Sequence, residues 1–134
     1  RHEPETHLIP NALRASADAP LRVFGRDWNT PDGTCIRDYV HVVDLIDAHI
    51  KALNSLVASE HHVINIGSGS GYSVAQVIDA VSVVKNSPLA TVDAPRRAGD
   101  PAVLVADISK AQQFLQWKPA RSLHQMVEDT FKAS

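Results

Sequence analysis

The sixteen residues from Thr30 to Leu45, TPDGTCIRDYVHVVDL, constrain the fold more than any other part of the chain. Asn29 to Gly33 carries turn chemistry. Cys35 to Val42 alternates and is rich in β-formers, which predicts a strand. Asp44 then stands as the expected cap of a helix in which Leu45, Ala48, His49, Ala52, Leu53 and Leu56 recur at intervals of three and four. A chain that changes its apolar period from two to 3.6 within one short run must set a strand beside a helix. That is the signature of a layered α/β fold. A strand that only filled a core would not need Arg37, Asp38, Tyr39 and His41 so close together, so the run also marks a site.

The rest of the chain repeats this alternation. Residues 6–17 have helical spacing at Leu8, Ile9, Ala12, Leu13 and Ala15, with Thr6 as N-cap and Pro10 in the first turn, where proline is tolerated. Leu21 to Phe24 predicts a strand ending at Gly25. His62 to Ile66 predicts a buried strand, followed by the loop Gly67-Ser68-Gly69-Ser70-Gly71. Ser73 and Gln76 form a capping box ahead of a helix from Val74 to Val84. Leu89 to Val92 predicts another strand, and Arg96 to Pro101 an irregular loop. Asp107 or Ser109 caps a short helix ending near Trp117-Lys118-Pro119. Ser122 and Gln125 form a second capping box for a last helix with Leu123, Met126, Val127 and Phe131 on its apolar face. The expected architecture is one α/β domain over residues 1–134, a small sheet of three to four short strands with about five helices.

Composition excludes several classes of function. The 134 residues carry a net charge of −2 with acids and bases interspersed, so neither a nucleic-acid surface nor an acidic tail is expected. No apolar run is long enough to span a membrane, and no signal-peptide pattern is present. Cys35 is the lone cysteine, which fits a reducing, cytoplasmic setting. The polar run Arg1-His2-Glu3-Pro4-Glu5 leads straight into an apolar helical segment, as expected of a fragment that starts inside a larger protein.

The glycine loop at 67–71 follows a strand, precedes a helix and has Asp93 beyond the next strand, as a dinucleotide site requires. Its spacing fails, because the third glycine position falls on Tyr72 or Val74, and a side chain there blocks close helix–strand packing. Glycines there still let the backbone approach a ligand. The Tyr-x-x-x-Lys pair of short-chain dehydrogenases, in which the ammonium depresses the phenol pKa, is also missing. Four residues after Tyr39 stands Val43, and four after Tyr72 stands Gln76. The seven histidines form no zinc pattern, so no metal is expected. Cys35 has no evident activating neighbour. Arg22, Arg37, Arg96 and Arg97 are the promising cations, since guanidinium forks bind phosphate bidentately. With Phe24 and Tyr39 able to flank a flat base, the set points to a nucleotide diphosphate.

Three stretches, TPDGTCIRDYVHVVDL, HVINIGSGSGYSVAQVIDAV and PRRAGDPAVLVADISKAQQFLQWKPARSL, resemble in order and spacing the carboxy-terminal portion of the UDP-glucose 4-epimerases, within the extended short-chain dehydrogenase/reductase family. The opening ETHLIP is similar to the start of that family's substrate-binding half. The resemblance implies the substrate-binding subdomain of this fold, holding UDP-glucose or UDP-galactose. NAD and the catalytic groups would lie in an amino-terminal NAD-binding domain absent from this chain, which would hold no catalytic residue and no cofactor of its own. By matching position, it places His7 and Leu8 at the UDP, and Arg22 and Phe24 along the uracil and ribose. Arg37 and Arg97 fall at the diphosphate, Tyr39 and Val74 elsewhere in the nucleotide pocket, and Asp100 at the ribose. Leu104 falls where the family limits room for an N-acetyl group. The alternatives are a decarboxylase or N-acetyl-sugar epimerase of the same fold, or a non-catalytic nucleotide-binding module. The partners implied are the UDP-sugar and the absent domain, with room for a homodimer.

Overall fold

Leu8–Arg14 forms α1, preceded by His7 rather than Thr6 at the capping position, and Pro10 sits in its first turn. The structure, a computed structural model, describes residues 6–134; the run Arg1 to Glu5, with His2, lies outside the described residues. After α1 come β1 (Leu21–Phe24), β2 (Ile36–Arg37), α2 (Val42–Asn54), β3 (Tyr72–Ser73) and α3 (Val74–Lys85). Then follow β4 (Thr91–Ala94), β5 (Val103–Leu104), α4 (Ser109–Phe114) and α5 (Leu123–Ala133). The class is α/β as expected. Its strands divide into two small sheets, a parallel β1–β4 pair and a three-stranded β3–β2–β5 sheet. Phe24 pairs with Ala94 in the first, and Arg37 lies between Tyr72 and Leu104 in the second.

Two cores hold these elements. Ala12, Ala15, Leu21, Val77, Val81, Leu123 and Val127 bury the facing stripes of α1, α3 and α5. Ala48, Ile108, Ala111, Leu115 and Trp117 join α2 to α4. Phe131, expected on the apolar face of α5, is instead 45% exposed.

The capping box before α3 forms as the sequence predicts. Ser73 Oγ accepts from the Gln76 N–H at 3.1 Å, and Gln76 Oε1 accepts from the Ser73 N–H at 2.8 Å. Ser73, only 3% exposed, also donates its hydroxyl to Asp32. Ser73→Ala is therefore expected to lower stability by about 1–2 kcal/mol, read as a lower urea midpoint at unchanged slope.

Four local expectations are corrected. The strand foreseen from Cys35 to Val42 is laddered only at Ile36 and Arg37. Beyond them Asp38 turns its carboxylate onto other segments, and His41, not Asp44, caps α2 by accepting from the Val43 N–H. His62 to Ile66 pairs with no described strand; Ile64 and Ile66 pack near Trp117 while Val63 is 69% exposed. The strand foreseen from Leu89 begins at Thr91, since the Leu89 N–H is held by Ser82 Oγ. Neither Asp107 nor Ser109 caps α4: Ile108 stands at the capping position, and the Asp107 carboxylate before it accepts from the Ser109 N–H.

Helix α2 turns apolar residues outward as well as inward. Ile46, Ile50, Leu53 and, just past its end, Leu56 are each more than half exposed, although Leu53 and Leu56 were expected on the core stripe. No described helix is long and apolar enough to cross a membrane.

Candidate functional site

Phe24 ends β1 because Gly25 follows at φ +92°, a conformation that favours glycine. A side chain at Gly25 would also collide with Trp28 and Arg96. Trp28 donates its indole N–H to the Phe24 carbonyl at 3.0 Å. Arg96 and Arg97 then diverge onto different aromatics. The Arg96 guanidinium lies 4.4 Å from the Trp28 ring centroid, and that of Arg97 lies 4.0 Å from that of Phe24. Arg96 is further held by the carboxylate and carbonyl of Asp27. The hydrogen bond from its guanidinium, opposed by slight burial, holds the Asp27 carboxyl below its ordinary range.

Phe24 and Arg97 line a hollow of about 420 Å³ with Leu8, Asn11 and Arg14 of α1 and Arg22 of β1. A turn closed by the Asp100 N–H on the Arg97 carbonyl, 3.3 Å, links this hollow to the second sheet. There Asp100 faces Arg37 at 3.8 Å, close enough for charge attraction and too long for a hydrogen bond. Arg37 donates at 2.8 Å to the Ile36 carbonyl, and Leu104, 60% exposed, is its ladder neighbour on β5.

The sequence-derived set thus falls into two linked groups. Leu8, Arg22, Phe24 and Arg97 share the hollow; Arg37, Asp100 and Leu104 lie together on the second sheet and its approach. His7 and Tyr39 line a separate cavity of about 840 Å³ between α1 and α5, which meets the first at Leu8. Val74 lines neither cavity, its N–H bonded to the Cys35 carbonyl at 3.1 Å. Burial pushes the Tyr39 phenol up to about 12, the neighbouring Cys35 adding to this and Arg37 opposing it. A phenol so shifted holds its proton and is unsuited to act as a base. Asn11 and Arg14 escaped the sequence reading, although Leu8, Asn11 and Arg14 recur at intervals of three on one helical face.

The glycine loop at 67–71 does not fit a dinucleotide pyrophosphate. The N–H groups of Ser68 and Gly69 donate to the Asp38 carboxylate, and the Gly71 N–H donates to Ser68 Oγ. A Cβ at Gly67 would collide with that carboxylate. The close backbone approach that the glycines allow is used by an internal anion. Asp93, the acid that follows the loop, is paired with Arg26.

The model of the family described as GDP-mannose 4,6 dehydratase matches residues 1–130. The chain belongs to this family. Its relatives include a UDP-glucose 4-epimerase of Corynebacterium glutamicum, 48% identical over 132 residues, an alignment covering 96% of this chain and 40% of the relative. Among solved structures, the UDP-glucose 4-epimerase of Stenotrophomonas maltophila, with bound NAD and formylated UDP-arabinopyranose, superposes with a TM-score of 0.89. It is 37% identical, and the match covers 98% of this chain and 40% of that one. The UDP-Glc/GlcNAc 4-epimerase of Campylobacter jejuni gives 0.82 at 40% identity, over 95% of this chain and 40% of that one. The chain spans about 40% of the length of the relatives it matches.

Proposed function

We propose that this chain is the UDP-sugar-binding portion of an NAD-dependent UDP-glucose/UDP-galactose 4-epimerase, and that it is catalytically incomplete by itself. The observation that carries this reading is the continuous path from Phe24 and Arg97, through the turn at 97–100, to Arg37. It offers an aromatic and guanidinium platform for a base and a second guanidinium for the diphosphate. Arg37 is three-quarters shielded from solvent and only loosely engaged by Asp100. A phosphate oxygen can therefore replace that contact with a shorter bidentate one.

The chain's part in such a reaction is grip. Holding the nucleoside diphosphate by two arginines and leaving the sugar unclamped places the binding energy away from the reacting carbon. Leu104, exposed beside Arg37, would then face the sugar, and its size leaves the sugar range open between plain and N-acetylated hexoses. NAD and the proton-transferring groups would be supplied by a further domain. The outward apolar residues of α2 and the unpaired segment 62–66 support contact with more polypeptide, either that domain or a second copy.

Calorimetric titration of UDP tests the reading. Arg37→Ala is expected to weaken binding about tenfold or more, a charge-assisted contact being worth about 1.5–3 kcal/mol. In a longer protein that catalyses epimerisation, the same change is expected to lower kcat/KM by a similar factor. Unchanged affinity would remove Arg37 from the site.

A further inference from the structure

The turn from Arg97 to Asp100 carries opposite charges to the two parts of the candidate site. At one end the Arg97 guanidinium lies over the Phe24 ring, and at the other the Asp100 carboxylate faces Arg37. The second contact is slack for so shielded a cation. The Arg37 side chain is 21% exposed, yet the carboxylate it faces stands 3.8 Å away, beyond hydrogen-bond reach. Its short bond among the described residues goes instead to the Ile36 carbonyl, at 2.8 Å. An arginine–carboxylate pair closed for stability comes to within about 3 Å, as Arg121 and Asp44 do at 2.6 Å. The Asp100 end is also easily given up. Its side chain is 38% exposed, so a carboxylate released from Arg37 meets water. A hydrogen bond of 3.3 Å closes the turn. Gly99 within it stands at φ +82°, with no described atom within 4 Å of where a side chain would begin.

We infer that Asp100 is an internal competitor for Arg37: it supplies a counter-charge while the site is empty and withdraws when a diphosphate binds. This rests on the reading of Arg37 as the diphosphate clamp. A phosphate oxygen in bidentate contact with Arg37 would bring its negative charge beside the Asp100 carboxylate, and like charges that close repel. The ligand therefore gains the Arg37 contact only after the chain's own anion has let go. Its apparent affinity is lowered by the fraction of molecules in which Asp100 still holds the guanidinium. A carboxylate that merely kept Arg37 aligned for the ligand would do the opposite, and its removal would weaken binding. The two roles thus differ in sign.

Calorimetric titration of inorganic pyrophosphate, at fixed ionic strength, tests this. Pyrophosphate has no ribose or base, so it isolates the competition from any contact that Asp100 makes to a nucleoside. Asp100→Asn is expected to tighten pyrophosphate binding about fivefold, the scale of a part-exposed ion pair. Asp100→Glu, which restores the charge, should return the affinity toward that of the unmodified chain. The gain should also vanish when Arg37→Ala/Asp100→Asn is compared with Arg37→Ala, since no guanidinium is then left to compete for. Binding that depends on Arg37 but is unchanged or weaker in Asp100→Asn would overturn the competition and leave the diphosphate reading standing. So would a gain that survives in Asp100→Glu or in the absence of Arg37. Pyrophosphate and UDP affinities that are both indifferent to Arg37→Ala would overturn the diphosphate reading, and this inference with it.

Discussion

Replacing Asp44 with alanine is expected to lower the unfolding free energy by about 3 kcal/mol, because it leaves three part-buried donors without their acceptor. The Asp44 carboxylate, only 3% exposed, accepts from the backbone N–H groups of Ala120 and Arg121 and from the Arg121 guanidinium at 2.6 Å. It ties the first turn of α2 to the chain entering α5. Burial pushes this carboxyl up, but the Arg121 N–H, the Arg121 guanidinium and the Ala120 N–H together hold it below the ordinary range. The sign of the pH effect follows. A carboxyl lowered by folding stabilises the native state above its unfolded pKa of about 4 and loses that contribution as pH falls through its folded value. The difference between the natural chain and Asp44→Asn, in which an amide N–H₂ faces the same donors, should be full at pH 7 and shrink below about pH 4. Urea unfolding at several pH values checks this. A difference that stays constant down to acid would show that Asp44 contributes by packing alone.

Asp38→Ala is the second large effect, expected at about 3 kcal/mol from the loss of three charge-assisted contacts. Its carboxylate gathers the N–H groups of Ser68, Gly69 and Ala106, joining the end of β2 to the glycine loop and to the segment after β5. Gly67→Ala should do similar damage by another route, since the added methyl would displace that carboxylate and also press on Ala106. The two substitutions should therefore be far from additive. Once Asp38 is gone, much of the collision at Gly67 is gone too, and a double-mutant cycle reads the shared part as a coupling energy. Full additivity would contradict the contact. Arg37 and Leu104 lie on strands braced by this carboxylate, so UDP affinity should fall alongside stability.

Helices were the most legible part of the fold because their signals are local. Ser73 and Gln76 announced α3, and the three-and-four spacing announced α5. The strands were harder to bound, since a ladder depends on an edge elsewhere in the chain. Nothing within Val63 to Ile66 says that no described strand pairs with it, and nothing in Cys35 to Val42 says that Asp38 leaves the ladder to receive three amides. Asp44 misled in an instructive way: an acid at a helix start reads as a cap, and only the tertiary structure brings Arg121 to it. At the site, guanidinium and aromatic chemistry picked out Arg22, Phe24, Arg37 and Arg97 individually. That Arg97 stacks on Phe24 while Arg96 takes Trp28 is a matter of side-chain direction, which adjacency in sequence does not convey.

The two tryptophans occupy opposite kinds of place, and this gives the molecule two optical reporters. Trp117 is 1% exposed and donates its indole N–H to the Asp44 carbonyl at 2.9 Å. Its emission should be blue-shifted and should change only when the α2–α4 core opens. Trp28 is part-buried beneath a guanidinium adjoining the Phe24 hollow. Its emission should respond to anything that rearranges Arg96 and its neighbour Arg97. With Trp117→Phe, a UDP titration could be followed through Trp28 alone; with Trp28→Phe, denaturation could be followed through the core alone. Occupancy and unfolding would then be separate signals from one polypeptide, with no external dye.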